Sequence, residues 1–260
     1  MKKQTLTFCV LLFSLFSIVS CSDDDKGLSI EQKVNDKWES KQSLSLDIKG
    51  IHYIRIKGAD GKCTAKVENE DIGIIGVNAD NSGTYIISLY KTGNTKLIIT
   101  DESGQSINIP IEATEYIRTL HISEQNIVIE GAFSDDVKEE ITTELNAMLL
   151  PQEIKVIQLF YQTTDAGKLE IKDSKDSKLY DGTFEQKAIQ QYPLLVMSFN
   201  NQTHNYLLSA NGKYPELRST GPVSAYLVED FTEKYKEQYP NIAAVITSVR
   251  IVTNIYYSWL

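Results

Sequence analysis

Apolar and polar residues alternate with a period of two in short segments between residues 44 and 113, and the alternation predicts seven strands. They are expected at residues 44–48, 51–57, 62–67, 72–77, 84–90, 95–100 and 105–112. The connections are rich in Gly, Asn and Asp, such as Gly58-Ala59-Asp60-Gly61 and Asp101-Glu102-Ser103-Gly104. These residues tolerate the positive φ of tight turns. In the last segment Ile107, Ile109 and Ile111 alternate with Ser106, Asn108 and Pro110. Proline has no N–H to donate, so this strand should lie at an edge or pair on one side at that point. Regular short strands without a helical period predict an N-terminal β-sandwich over residues 44–113.

Beyond residue 113 the period changes, and residues 114–124 are expected to hold a domain boundary. Residues 126–130 read as a short strand. Ser134 stands as a helix cap, with Asp135 and Asp136 in the positive first turn. Val137, Ile141, Leu145 and Leu149 form its apolar stripe, and Pro151 ends it. Residues 154–161 and 194–199 read as buried strands, with 168–172 and 205–209 as further strands. Lys172-Asp173-Ser174-Lys175-Asp176-Ser177-Lys178 reads as a mobile loop. Pro222 occupies a first helical position, and Val223, Leu227, Phe231 and Tyr235 recur at four-residue spacing as the stripe of a second helix. From residue 242 the chain alternates again, with Val245, Thr247, Val249, Ile251, Thr253, Ile255, Tyr257 and Trp259 on one face. The expectation for residues 114–260 is a two-layer α+β domain with two helices on one face of a mixed sheet.

The first forty residues differ from both parts. Lys2 and Lys3 precede an apolar run ending in Ile18-Val19-Ser20-Cys21, and Ser22-Asp23-Asp24-Asp25-Lys26-Gly27 follows. The run has signal-peptide length and falls short of the ~20 residues of a membrane-spanning helix. This opening resembles Bacteroidota-type surface lipoproteins, with a lipobox and an acidic export signal. The resemblance implies a signal peptide at 1–20, a lipid on Cys21 and an outer-membrane location facing the exterior. Membrane contact would run through that lipid. Residues 21–43 are then a lipidated tether, in which Ile30, Val34 and Trp38 suggest a short helix.

The segment Val67-Glu68-Asn69-Glu70-Asp71-Ile72, with Gly93 before Thr95-Lys96-Leu97-Ile98-Ile99-Thr100-Asp101-Glu102-Ser103-Gly104, is similar to bacterial Ig-like surface domains. Its departure is the loop after Tyr90, where that family often carries a longer apolar segment. The resemblance implies a spacer or adhesive module and no catalytic residue.

The charge of −9 becomes −11 once residues 1–20, with two lysines and no acids, are removed. Such a chain repels nucleic acid, which is excluded as a partner. Of three cysteines, Cys9 leaves with the signal peptide and Cys21 takes lipid, so Cys63 is alone. It alternates with Ala65 and Val67 as a core hydrophobe. His52, His121 and His204 lack metal-ligand spacing, and no phosphate loop or nucleophile motif is present. No catalytic residue, metal or cofactor is therefore expected. Ten of the fourteen tyrosines lie after residue 150. Tyr and Trp serve as platforms for sugars or anchors for proteins, which makes Tyr256, Tyr257 and Trp259 the candidate binding residues. The functional expectation is a non-catalytic accessory lipoprotein for an extracellular glycan or protein. A structural subunit of a fibre or transport complex, or an enzyme of unrecognised type in the C-terminal part, is the alternative.

Overall fold

The structure, a computed structural model, describes residues 27–79, 83–189, 192–210 and 224–258. Two packed sheets come first. One has the order β2-β1-β4-β7-β6, built from β1 (Ser29–Val34), β2 (Lys37–Lys41), β4 (His52–Lys57), β6 (Gly73–Val77) and β7 (Thr84–Leu89). The other has the order β3-β9-β8-β5, from β3 (Leu44–Asp47), β5 (Cys63–Val67), β8 (Gly93–Asp101) and β9 (Ser106–Thr114). Ile30, Ile54 and Ile87 of the first sheet and Leu46, Leu97 and Ile99 of the second are buried in one core. Pro110 pairs with Lys96 of β8, while the parallel strand β3 reaches only residues 111–114 of β9. The proline thus sits where one side of its strand is unpaired.

Residues 29–41, expected to be a tether with a helical turn, form the β1–β2 hairpin of this sandwich. Asn35 and Asp36 have φ of 47° and 63°, so the chain reverses in a two-residue turn with positive φ at both positions. Such turns match the twist of the strands they join. Ile30, Val34 and Trp38 share a four-residue spacing, but Lys33 faces Trp38 across the hairpin. The helical reading is corrected.

The C-terminal region is not an α+β domain with two helices on a mixed sheet. It is an eight-stranded closed barrel in which every neighbouring pair is antiparallel. The strands follow chain order: β10 (Tyr116–Gly131), β11 (Val156–Tyr161), β12 (Ala166–Lys172), β13 (Lys178–Ile189), β14 (Tyr192–Phe199), β15 (Gln202–Ala210), β16 (Ser224–Asp230) and β17 (Ile246–Ser258). Strand β17 returns to pair with β10 and closes the ring, so no edge is left exposed. Gly182 of β13 allows close backbone approach, because a Cβ there would lie 2.2 Å from the Ser198 carbonyl oxygen.

The second helix expected from Pro222 is corrected too. Pro222 and Val223 lie outside the described residues, and Leu227 belongs to β16. Ala225, Tyr226, Leu227 and Val228 are all buried, so both faces of β16 are covered. A strand apolar on both faces satisfies a four-residue spacing by accident. The helix that does form, α2 (Thr232–Gln238), starts after the strand and is followed by a 3₁₀ turn at Pro240–Val245. The first helix, α1 (Asp135–Asn146), starts where the sequence places it but ends before Leu149 and Pro151, and Ser134 precedes it without a side-chain cap hydrogen bond. The Lys172–Lys178 loop is a hydrogen-bonded hairpin turn, with Asp173 Oδ1 accepting the N–H groups of Lys175 and Ser177.

The two ends of the barrel are finished differently. At one end β10 and β17 extend past their neighbours, and Ile127, Ile129, Val249 and Ile251 pack against Ile141 and Leu145 of α1 and Tyr235 of α2. The Tyr235 hydroxyl donates to Glu144 at 2.9 Å and ties the helices together. The other end meets the sandwich. There Thr92 N–H donates to the Gln162 carbonyl at 2.9 Å and Thr164 N–H to the Tyr90 carbonyl at 3.0 Å.

Candidate ligand site at the barrel mouth

Along β10, Tyr116, Arg118, Leu120 and Ile122 have one parity, and along β11 Ile157, Leu159 and Tyr161 oppose them in register. Leu120 and Ile157 are buried in the core shared by the barrel strands, so this parity faces inward. Arg118 is therefore an inward-facing cation near the sandwich end. Tyr161, fully buried, lies beside Tyr116 with ring centroids 5.8 Å apart and meets Phe184 edge-on at 4.7 Å. Burial pushes the Tyr161 hydroxyl up to about 12 against a smaller opposing pull from Arg118. Tyr257, paired with Leu120 across the closing seam, is half-buried against the same core. Burial raises its pKa as well.

Two cations meet these rings. The Lys49 ammonium, from the loop after β3, lies 4.2 Å from the Tyr161 ring centroid. The Arg118 guanidinium lies 5.7 Å from Tyr161 and 5.7 Å from Tyr257. Burial depresses the Lys49 pKa, Arg118 depresses it further, and Asp165 opposes. Among the described residues neither cation forms an ion pair or hydrogen bond with a carboxylate. By contrast, Lys33, Lys41, Lys96, Lys172 and Lys178 each reach an acid within 4.0 Å.

The candidate aromatic residues divide. Tyr257 faces inward, into this mouth. Tyr256 points outward, is 46% exposed and stacks on His121 at 4.8 Å, so the two tyrosines cannot form one platform. Trp259 and Cys21 lie outside the described residues. Cys63 lies half-buried on its strand, and burial raises its thiol pKa, which suits a packed thiol rather than a nucleophile.

Sequence reasoning missed Lys49 and Arg118, and also a buried pair inside the barrel. His204 Nδ1 lies 3.2 Å from Glu229 Oε1, and the imidazole stacks between Phe199 at 4.9 Å and Tyr206 at 5.7 Å. His204 Nε2 and the Tyr206 hydroxyl are buried without a protein hydrogen-bond partner. The signal was present only as parity: His204 and Tyr206 alternate with Thr203 and Asn205. The described residues hold no group of three or more His, Cys, Asp or Glu arranged to bind a metal.

Comparison with protein-family models, with curated proteins and with solved structures found no match.

Proposed function

We propose that this chain is a lipid-anchored, non-catalytic binding protein of the outer-membrane surface, holding an extracellular ligand at the sandwich-facing mouth of its barrel. The lipobox at Cys21 and the acidic run after it support the anchor and the location. The observation that carries the binding reading is the contrast in the barrel ends. One is sealed by apolar helix residues, and the other gathers Tyr116, Tyr161 and Tyr257 around two cations that have no acid partner among the described residues. Small barrels hold ligands in their mouths, lined by aromatic rings and a few placed polar groups. The Ig-like resemblance of residues 44–113 supports a spacer that carries this mouth away from the membrane. No helix among the described residues is long and apolar enough to cross a membrane.

The test has two arms. Protease added to intact cells should cleave the protein, and protection lost only on permeabilisation would remove surface display. The purified protein on a glycan array should retain a ligand that Tyr257→Ala loses. An array blank for wild type, or equal retention by the variant, would remove the mouth as the binding site.

The enzyme reading draws its one support from His204 and Glu229. Both are about one-tenth exposed, and no Ser or Cys of the described residues hydrogen-bonds the imidazole. The pair lacks a nucleophile and an open approach, and it acts as a polar element of the barrel core.

A further inference from the structure

The mouth is described above as a ligand site without a ligand class. Its charges supply one. In a chain of net charge −9, two half-buried cations share one aromatic ring, so their separation cannot exceed the sum of their distances to it. Like charges this close disfavour each other, and the lowered Lys49 pKa reflects that repulsion after the larger effect of burial.

Packing accounts for part of the arrangement. A lysine over a tyrosine face is attracted by the ring, and Lys49 on Tyr161 joins the sandwich to the barrel in that way. Arg118 makes ring contacts of its own with Tyr161 and Tyr257, and its charge opposes that of Lys49. Arg118 is only half-buried, so part of its side chain is open to solvent. Asp165, the acid whose charge opposes the fall in the Lys49 pKa, is exposed, and among the described residues it forms no ion pair with Lys49. An oxyanion between the cations would relieve their repulsion. The planar fork of Arg matches a carboxylate with two parallel hydrogen bonds. Tyr257, 5.7 Å from the Arg118 guanidinium, and Tyr116, 5.8 Å from the Tyr161 ring, are both half-buried, and such rings suit the C–H surface of a sugar.

We infer that the mouth binds an acidic sugar unit, its carboxylate held by Arg118 and Lys49 and its ring set against Tyr257 and Tyr116. The inference rests on the binding reading above and adds the ligand's charge. The test titrates the full-length protein in low salt with a galacturonate trisaccharide, neutral maltotriose and inorganic sulfate, by calorimetry. The expected result is binding of the galacturonate trisaccharide alone. Arg118→Gln and Lys49→Gln should each weaken it at least tenfold, and Arg118→Lys should fall between wild type and Arg118→Gln. Urea midpoints of the variants check that they fold. Variants that do not fold are replaced by a salt titration of wild type, in which affinity must fall as ionic strength rises.

Sulfate binding as tightly as the trisaccharide would overturn the sugar assignment. Maltotriose binding that survives both cation variants would overturn the charge assignment while leaving the binding reading intact. No binding of any probe would overturn the inference, and the glycan array would then decide the binding reading separately.

Discussion

The barrel ends show how one sheet can be closed by two kinds of chemistry. At the helix end the inward-facing residues of β10 and β17 are Ile127, Ile129, Val249 and Ile251, and they meet Ile141 and Leu145, each fully buried. At the sandwich end the same strands contribute Arg118 and Tyr257, and the facing loop contributes Lys49. Dry apolar contact needs no partner outside the chain. Half-buried charge loses part of its hydration, and among the described residues aromatic rings rather than carboxylates face these two cations. The sandwich end also shares an apolar core with the barrel, and the contrast lies in the cations and tyrosines set beside it, to which the binding reading gives a role beyond closure.

The strongest way to break this contrast is to open the sealed end. Leu145→Ala removes a fully buried side chain between helix and strand, and should cost about 2–5 kcal/mol, read as a lowered urea midpoint. Ligand retention at the mouth, at the far end of the barrel, should be unchanged. Loss of retention at full stability would mean that the helix end, not the mouth, is the working surface.

Parity was legible along the chain, but pairing was not. Val249, Ile251, Thr253 and Ile255 are buried on one face, as alternation predicts, and Tyr256 turns outward. Nothing local says that β17 closes onto β10 across more than a hundred residues. Within β10 the register shifts between Ile122 and Glu124. An irregularity of this kind changes which parity faces inward, so Leu120 and Ile122 share a face with Ile127 and Ile129. A reader following strict alternation loses the strand there, which is why only residues 126–130 were expected of it. The site residues were hidden for a related reason. Arg118 reads as an outward polar residue until the barrel is closed, and Lys49 belongs to a loop of the other region. The Asn35-Asp36 turn, by contrast, was in plain view and was outweighed by a coincidental helical spacing.

A second probe compares the ends by pH. Tyr161 is held at about 12 by burial, against ~10 for an unfolded tyrosine. Its raised pKa contributes stability that is complete below pH ~10 and is lost as pH rises through about 12. The loss is on the order of 3 kcal/mol, from ~1.4 kcal/mol per pH unit. Tyr161→Phe should flatten that part of the alkaline stability curve. An identical alkaline loss in the variant would place the titrating group elsewhere.

The smallest effect is the most specific to the mouth. The folded-state pKa of Lys49 is depressed, first by burial and then by Arg118. Below that folded value lysine is protonated in both states, and the folded state bears the strain of the enclosed cation. Between the folded value and the unfolded ~10.4 the unfolded chain binds more protons, so stability rises with pH across that window. Lys49→Met removes this dependence and also forfeits the contact with the Tyr161 ring. Its offset at neutral pH therefore combines two effects of opposite sign. The slope does not. The stability of wild type relative to Lys49→Met should increase as pH rises toward ~10, below the range in which Tyr161, in contact with Lys49, titrates. A difference that shrinks with rising pH would mean that the ammonium already has an anionic partner in the folded protein. The mouth would then be paired and closed like the helix end, and the contrast between the ends would be gone.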